Sequence, residues 1–145
     1  MRLLVQRVSS ASVRVEGNLV GQIEEGALVL VGFHQNDEEA MIPFLVKKLV
    51  HLRFFPDERG RMHYSLLDTQ KAILAVSQFT LYGNCNNGRR PDFGEALEPK
   101  LAKAYYELFL KEAGLFIPKV ETGIFGAYME VESKNDGPVT FLLEA

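Results

Sequence analysis

Two short stretches of this chain concentrate side chains that can do or direct chemistry. Ser77-Gln78-Phe79-Thr80-Leu81 places two hydroxyls and an amide just after the apolar run Ala72-Ile73-Leu74-Ala75-Val76 and just before a polar segment. Hydroxyls donate and accept, and a Gln amide does both at two atoms. Strand ends of this kind are where a rigid scaffold presents reactive groups. None of these residues is a base, so nucleophilic attack by Ser77 or Thr80 needs an activator. No spacing marks one of the histidines or a carboxylate for that task. The same pattern fits a strand whose hydroxyls satisfy backbone groups, and residue types alone favour that simpler reading. The second stretch, Asn135-Asp136-Gly137-Pro138-Val139-Thr140, reads as a turn feeding a strand. Gly before Pro frees the backbone, and X-Pro bonds are where cis peptides occur. A cis Gly137-Pro138 would aim two carbonyls to one side and test ligand shape without a side chain. A plain type I or II turn is the alternative, and trans bonds are much the commoner.

Other chemistries find less support. His34, His51 and His63 sit on separate segments with no H-E-x-x-H or Cys/His spacing, so no metal site is expected. Cys85 lies in a polar loop near Arg89 and Arg90, which would lower a thiol pKa, but no local signature marks a nucleophile. There is no Walker loop and no G-x-G-x-x-G between a strand and a helix, so no nucleotide cofactor is expected.

The elements that must position these residues read as follows. Val8, Val13 and Val15 sit in the alternating pattern of a half-buried strand. Glu16-Gly17-Asn18 turns it into a second strand, Leu19 to Ile23. Glu24-Glu25-Gly26 is another turn, and Ala27 to Phe33 is a run suited to a strand buried on both faces. Asp37 to Arg53 reads as a helix, with Leu45, Val46, Leu49 and Leu52 at helical spacing and Pro43 in its opening turn. Arg53-Phe54-Phe55 is a short strand candidate. Residues 72–76 are a strand, and Tyr82 to Gly94 is a loop long enough to be functional. Pro99 to Ala113 is the second helix, with a face of Leu101, Ala104, Tyr105 and Leu108 and Gly114 as its stop. Strands near 119–121, 127–132 and 139–143 complete an α+β fold. It is expected to be a mostly antiparallel, barrel-like sheet with two main helices, in a single domain spanning 1–145.

Composition narrows the function. The 145 residues are 47% hydrophobic and 24% charged, an ordinary globular mix. Sixteen Lys and Arg against nineteen Asp and Glu leave a net charge of −3. That excludes a protein coated in positive charge that grips nucleic acid by bulk electrostatics, although a local basic face involving Arg89, Arg90, Lys47 and Lys48 stays open. One cysteine precludes an intrachain disulfide and suits a reducing cytosol. No apolar run approaches a membrane span, and MRLLVQRVSS has no signal-peptide pattern, so a cytoplasmic protein with no membrane partner is expected.

SQFTL at 77–81 and NDGPVT at 135–140 together resemble the two signature motifs of D-aminoacyl-tRNA deacylases. The opening MRLLVQRVSSASVRVEG, the segment Asn87 to Phe93 and the segment Gly123 to Met129 resemble that family too, in the same order along the whole chain. The resemblance implies a homodimer without a cofactor. It implies hydrolysis of the ester between a D-amino acid, or mischarged glycine, and the 3′ end of tRNA. It implies that Ser77, Gln78, Phe79 and Thr80 line the ester. A cis Gly137-Pro138 would reach into the partner subunit's pocket and leave no room for an L side chain, with Asn135, Val139 and Thr140 around it. Arg7 would hold that motif, and Phe125 would pack near the terminal adenine. Thr80 as nucleophile and water attack assisted by the tRNA 2′-hydroxyl are both implied by the family. The absence of an evident base for Thr80 favours the second. Asn86 and Asn87 stand where many relatives carry a basic residue, and Tyr128 where an acidic one is common, which bears on RNA contacts. Two alternatives stay open: a non-catalytic nucleic-acid-binding protein on the same scaffold, and an esterase with Thr80 or Cys85 as nucleophile.

Overall fold

The computed structural model describes residues 1–145. The chain opens with a long strand, β1 (Arg2–Val15). Glu16 and Gly17 both take positive φ, 50° and 78°, the conformation of a two-residue primed turn. That turn returns the chain as β2 (Asn18–Ile23), antiparallel to the second half of β1. β3 (Gly26–Gly32) pairs antiparallel with the first half of β1, from Arg2 opposite Gly32 to Val8 opposite Gly26. Helix α1 (Met41–His51) follows, then a small hairpin of β4 (Phe55–Pro56) and β5 (Met62–Tyr64). The one-turn helix α2 (Leu66–Thr69) starts in a capping box. The Ser65 hydroxyl accepts from the Asp68 N–H while the Asp68 carboxylate accepts from the Ser65 N–H. The Ser65 N–H, at 2.9 Å, and the Ser65 hydroxyl, at 2.7 Å, both donate to the Asp68 carboxylate and hold its carboxyl below the usual pKa. β6 (Ala72–Ser77) lies parallel to β3, and α3 (Pro99–Gly114) leads to β7 (Val120–Thr122), parallel to β6. β8 (Glu130–Glu144) then runs antiparallel along nearly all of β1.

The sheet runs in the order β2-β1-β3-β6-β7 with β8 also on β1; most of its pairing is antiparallel, as the sequence suggested, but the β3-β6 and β6-β7 ladders are parallel, so the sheet is mixed. The reason lies in the connections. Parallel neighbours need a crossover of a dozen or more residues, and the segments carrying α1 and α3 supply them. The outer strands nearly close the sheet: a Cβ on Gly21 of β2 would lie 2.7 Å from the Thr122 carbonyl oxygen of β7. Strand periodicity divides the apolar residues between two cores. Val29, Val31, Ile73 and Ala75 face α1 and α3 in the larger core, while Leu28, Leu74 and Val76 face the barrel interior with Val8, Val13 and Ile23.

Several local expectations shift. The first helix is shorter than 37–53, because Asp37 is used otherwise. Its carboxylate takes the Met1 ammonium at 2.6 Å and the His34 N–H at 2.7 Å. On α3 the buried stripe is Ala102, Tyr106, Phe109 and Ala113, one position on from the expected face, with Tyr105 and Leu108 half-buried beside it. Both stripes recur at helical spacing, so only the packing separates them. Gly114 ends the helix without a left-handed conformation. Asn135 to Pro138 is not a turn between strands. β8 continues through it, and its extra length is absorbed in a bulge where the register with β1 shifts between Gln6 and Val8. No helix is long and apolar enough to cross a membrane.

Phe109, fully buried between α3 and the sheet, sets a direct test of the larger core. Phe109→Ala is expected to cost about 3–5 kcal/mol of unfolding free energy in urea titration. A loss below about 1 kcal/mol would contradict this packing.

Candidate active site

β3 and β6 end together. Val31 faces Ser77 in the last pair, and the Gln78 N–H donates to the Val31 carbonyl at 2.8 Å. The chain then leaves the sheet and tightens into a 3-10 turn, Phe79–Tyr82. The Leu81 N–H closes its first bond on the Gln78 carbonyl at 3.3 Å. The amides of Phe79 and Thr80 precede that bond and have no partner within the turn. A cleft of about 590 Å³ opens over these strand ends. That is within the range of sites for compact organic ligands.

Ser77, Gln78, Phe79 and Phe125 line this cleft, and Phe93 and Tyr128 stand at it too. Thr80 does not line it. Its hydroxyl accepts from the Gln78 side-chain amide, which ties the two residues together. The Phe79 and Phe93 rings meet edge to face at 5.0 Å, and Phe79 is 58% exposed, a large apolar surface left open to a ligand. Phe125 rests against Tyr106, ring centroids 5.8 Å apart. The Tyr106 hydroxyl donates to the Ala75 carbonyl at 2.9 Å and lies 2.6 Å from the Thr122 hydroxyl. Burial pushes its pKa up to about 12, against the opposing hydrogen bond to Thr122, so it stays a protonated donor near neutral pH.

The cleft contains one charged residue, Glu98. Its carboxylate caps α3, accepting the N–H groups of Leu101 at 2.7 Å and Lys100 at 3.0 Å. The histidines are engaged elsewhere. The His34 ring lies tilted against Tyr82, the His51 ring bonds the Lys47 carbonyl at 2.8 Å, and His63 meets Tyr64 edge to face. No histidine lines the cleft, and no side-chain base is poised beside Thr80.

The second motif lies apart from the cleft. Arg7 faces Ala27, at the end of β3 away from Val31, and four residues of strand span roughly 13 Å. The Gly137–Pro138 peptide is cis, and both residues are exposed. Gly137 has φ +127°, and a Cβ there would meet the Val139 side chain at 2.8 Å, so only glycine suits the position. Arg7 fastens the segment. Its guanidinium is 3.0 Å from the Asp136 carboxylate, 3.2 Å from the Asp136 carbonyl and 2.6 Å from the Phe54 carbonyl. Val139 is buried in the larger core, Thr140 is paired with Gln6, and the Asn135 amide reaches the Thr140 hydroxyl at 3.4 Å.

A family model described as D-Tyr-tRNA(Tyr) deacylase matches residues 4–144. The chain belongs to that family. The D-aminoacyl-tRNA deacylase of Fervidobacterium nodosum is 51% identical over 145 residues, covering 100% of this chain and 97% of that one. The D-aminoacyl-tRNA deacylase of Aquifex aeolicus is 52% identical over 148 residues, covering 100% and 98%. Among solved structures, the c-Myc DNA Unwinding Element Binding Protein superposes with a TM-score of 0.94 at 40% identity, covering 100% of this chain and 99% of that one. A probable eukaryotic D-amino acid tRNA deacylase, at 17% identity and a TM-score of 0.87 over 98% and 97% of the two chains, shares the fold.

For this member of the deacylase family, the sequence did not single out Phe93, Glu98 or Tyr106 as parts of the site. Phe93 was visible as an aromatic closing the polar loop. Tyr106 was hidden because the neighbouring helical stripe looked equally suited to the core. The Arg7 clasp generates a test. Arg7→Ala removes charge-assisted bonds and strands the Phe54 carbonyl, and is expected to cost roughly 2–3 kcal/mol in urea titration. Arg7→Lys should recover only part, because an ammonium lacks the planar fork. A change under about 0.5 kcal/mol for Arg7→Ala would show that the clasp is not formed.

Proposed function

We propose that this member of the hydrolase family cleaves the ester of D-aminoacyl-tRNA, and of tRNA mischarged with glycine, releasing the amino acid and intact tRNA. The observation that carries the reading is the cleft at Ser77–Phe79, an apolar site with polar backbone at its floor whose one carboxylate, Glu98, is taken up by the cap of α3, in a chain of this family. It takes the aminoacyl group and the terminal adenosine, with Phe125 against the adenine, a stacking role suited to an aromatic ring.

The chemistry follows from what the cleft lacks. Thr80 is bonded to Gln78 and has no base beside it, so water attacks the ester with help from the neighbouring ribose 2′-hydroxyl. The Phe79 amide, unpaired within the turn at the cleft floor, stabilises the oxyanion. Stereochemical selection uses a second copy of the chain. Gly137 and Pro138 stand exposed and away from their own cleft, and we assign them to the cleft of a partner in a homodimer. There their carbonyls exclude an L side chain while D-amino acids and glycine fit. Selection by exclusion needs no affinity for the correct substrate. The enzyme works in the cytoplasm, on the 3′ end of tRNA alone.

A second reading, non-catalytic nucleic-acid binding, is favoured by the likeness to a protein described as binding a DNA unwinding element. Steep salt dependence on plain DNA without deacylation would support it.

Two measurements test the chemistry. Thr80→Ala is expected to keep deacylation of D-aminoacyl-tRNA within about tenfold of the parent, whereas loss of a true nucleophile costs on the order of 10⁴-fold or more. A substrate ending in 2′-deoxyadenosine should react about 10²-fold slower or worse. A dead Thr80→Ala variant together with an unimpaired 2′-deoxy substrate would establish the Thr80 nucleophile instead.

A further inference from the structure

We infer that the loop 85–91 is a phosphate grip for the single-stranded RNA that leads into the cleft. The inference rests on the deacylase reading and adds to it the surface that holds the nucleotides preceding the terminal adenosine. Its starting point is a charge problem. The chain carries a net charge of −3, and the only charged residue lining the cleft is an acid, Glu98. A polynucleotide threading out of that cleft brings a negative phosphate with each residue. Cations must meet it at the rim.

Lys100, exposed and next in sequence to the cleft residues Glu98 and Pro99, is a single such cation, and residues 85–91 bring two together. Asn84 and Asp92 exchange backbone hydrogen bonds at 2.7 and 2.9 Å, closing residues 85–91 into a projecting loop. Its base is joined to the cleft, since Phe93 directly follows Asp92 and packs on Phe79. Near its tip, after Gly88 at φ +74°, stand Arg89 and Arg90, both exposed. Neither takes part in any ion pair of the chain. The nearest acid in sequence, Asp92, turns its carboxylate inward to accept the Gly94 N–H at 3.1 Å. Arg2, Arg7 and Lys71, by contrast, are each committed to a carboxylate. Lys47 and Lys48 lie on α1, which contributes nothing to the cleft. Two adjacent, uncommitted guanidiniums on a loop anchored at the cleft wall are suited to bidentate phosphate contacts. Asn86 and Asn87 add neutral amide donors and no charge.

The test compares two substrates. One is D-aminoacyl-tRNA. The other is D-aminoacyl-adenosine, which has the ester and ribose but none of the preceding phosphates. For the Arg89→Ala/Arg90→Ala variant, kcat/KM on tRNA divided by kcat/KM on the adenosine ester is expected to fall roughly tenfold or more, mainly through KM. The slope of log kcat/KM for tRNA against log salt should flatten by about 1.4, the value for two lost contacts to a single strand. Arg89→Lys/Arg90→Lys should retain most of the slope, which separates lost charge from a misfolded loop. An unchanged ratio and slope in the alanine variant, with the parent cleaving both substrates, would overturn the grip and leave the deacylase reading standing. A parent that cleaves neither substrate would overturn the deacylase reading and the grip with it.

Discussion

The parallel pairing of β3 with β6 is the constraint from which the rest of the fold follows. Both strands are apolar on both faces, and both are almost wholly buried. Such a pair cannot tolerate water on either side. One face is covered by α1 and α3, the other by the barrel interior that β1 and β2 complete. A ligand can then reach the pair only at its ends. At the Val31–Ser77 end the backbone turns out of the sheet, and the cleft opens there. The next crossover, from β6 to its other parallel neighbour β7, brings Glu98 at the cap of α3 and Ala102 within it to the cleft wall.

This arrangement gives the cleft a particular chemical character. It is aromatic, nearly uncharged and without a free base, which in the proposed reading positions a reactive ester without attacking it. A site of that kind suits a substrate that carries its own catalytic hydroxyl. The proposed reading also reconciles an acidic chain with a nucleic-acid substrate, because a cleft that admits only the end of the molecule would leave the phosphates outside. The exposed Gly137-Pro138 segment, clasped by Arg7 at a distance from its own cleft, makes sense as a part lent to a second subunit.

Much of this was legible in the residues. β2, β3, β6 and the two longer helices follow from periodicity and turn chemistry, and SQFTL was found at the strand end that became the cleft floor. What escaped was set by contacts between distant segments. Parallel or antiparallel pairing depends on where a connection travels, which an apolar run such as 72–76 does not encode. The buried stripe of α3 was misplaced by one residue because Tyr105 and Tyr106 are equally acceptable to a helix. Asp37 looked like the start of a helix and instead holds the Met1 ammonium. The motif at 135–140 looked like a turn because Gly-Pro marks turns, and only the pairing with β1 shows that the strand continues through it.

The central claim is that an open, largely apolar cleft is made selective by excluding one stereochemistry. The most direct measurement is the deacylation rate of one tRNA carrying in turn a D-amino acid, glycine and the matching L-amino acid. The account predicts that the D and glycyl esters are hydrolysed and that the L ester is slower by about 10³-fold or more, because exclusion by rigid backbone removes the productive pose altogether. Equal rates for the D and L esters would contradict it.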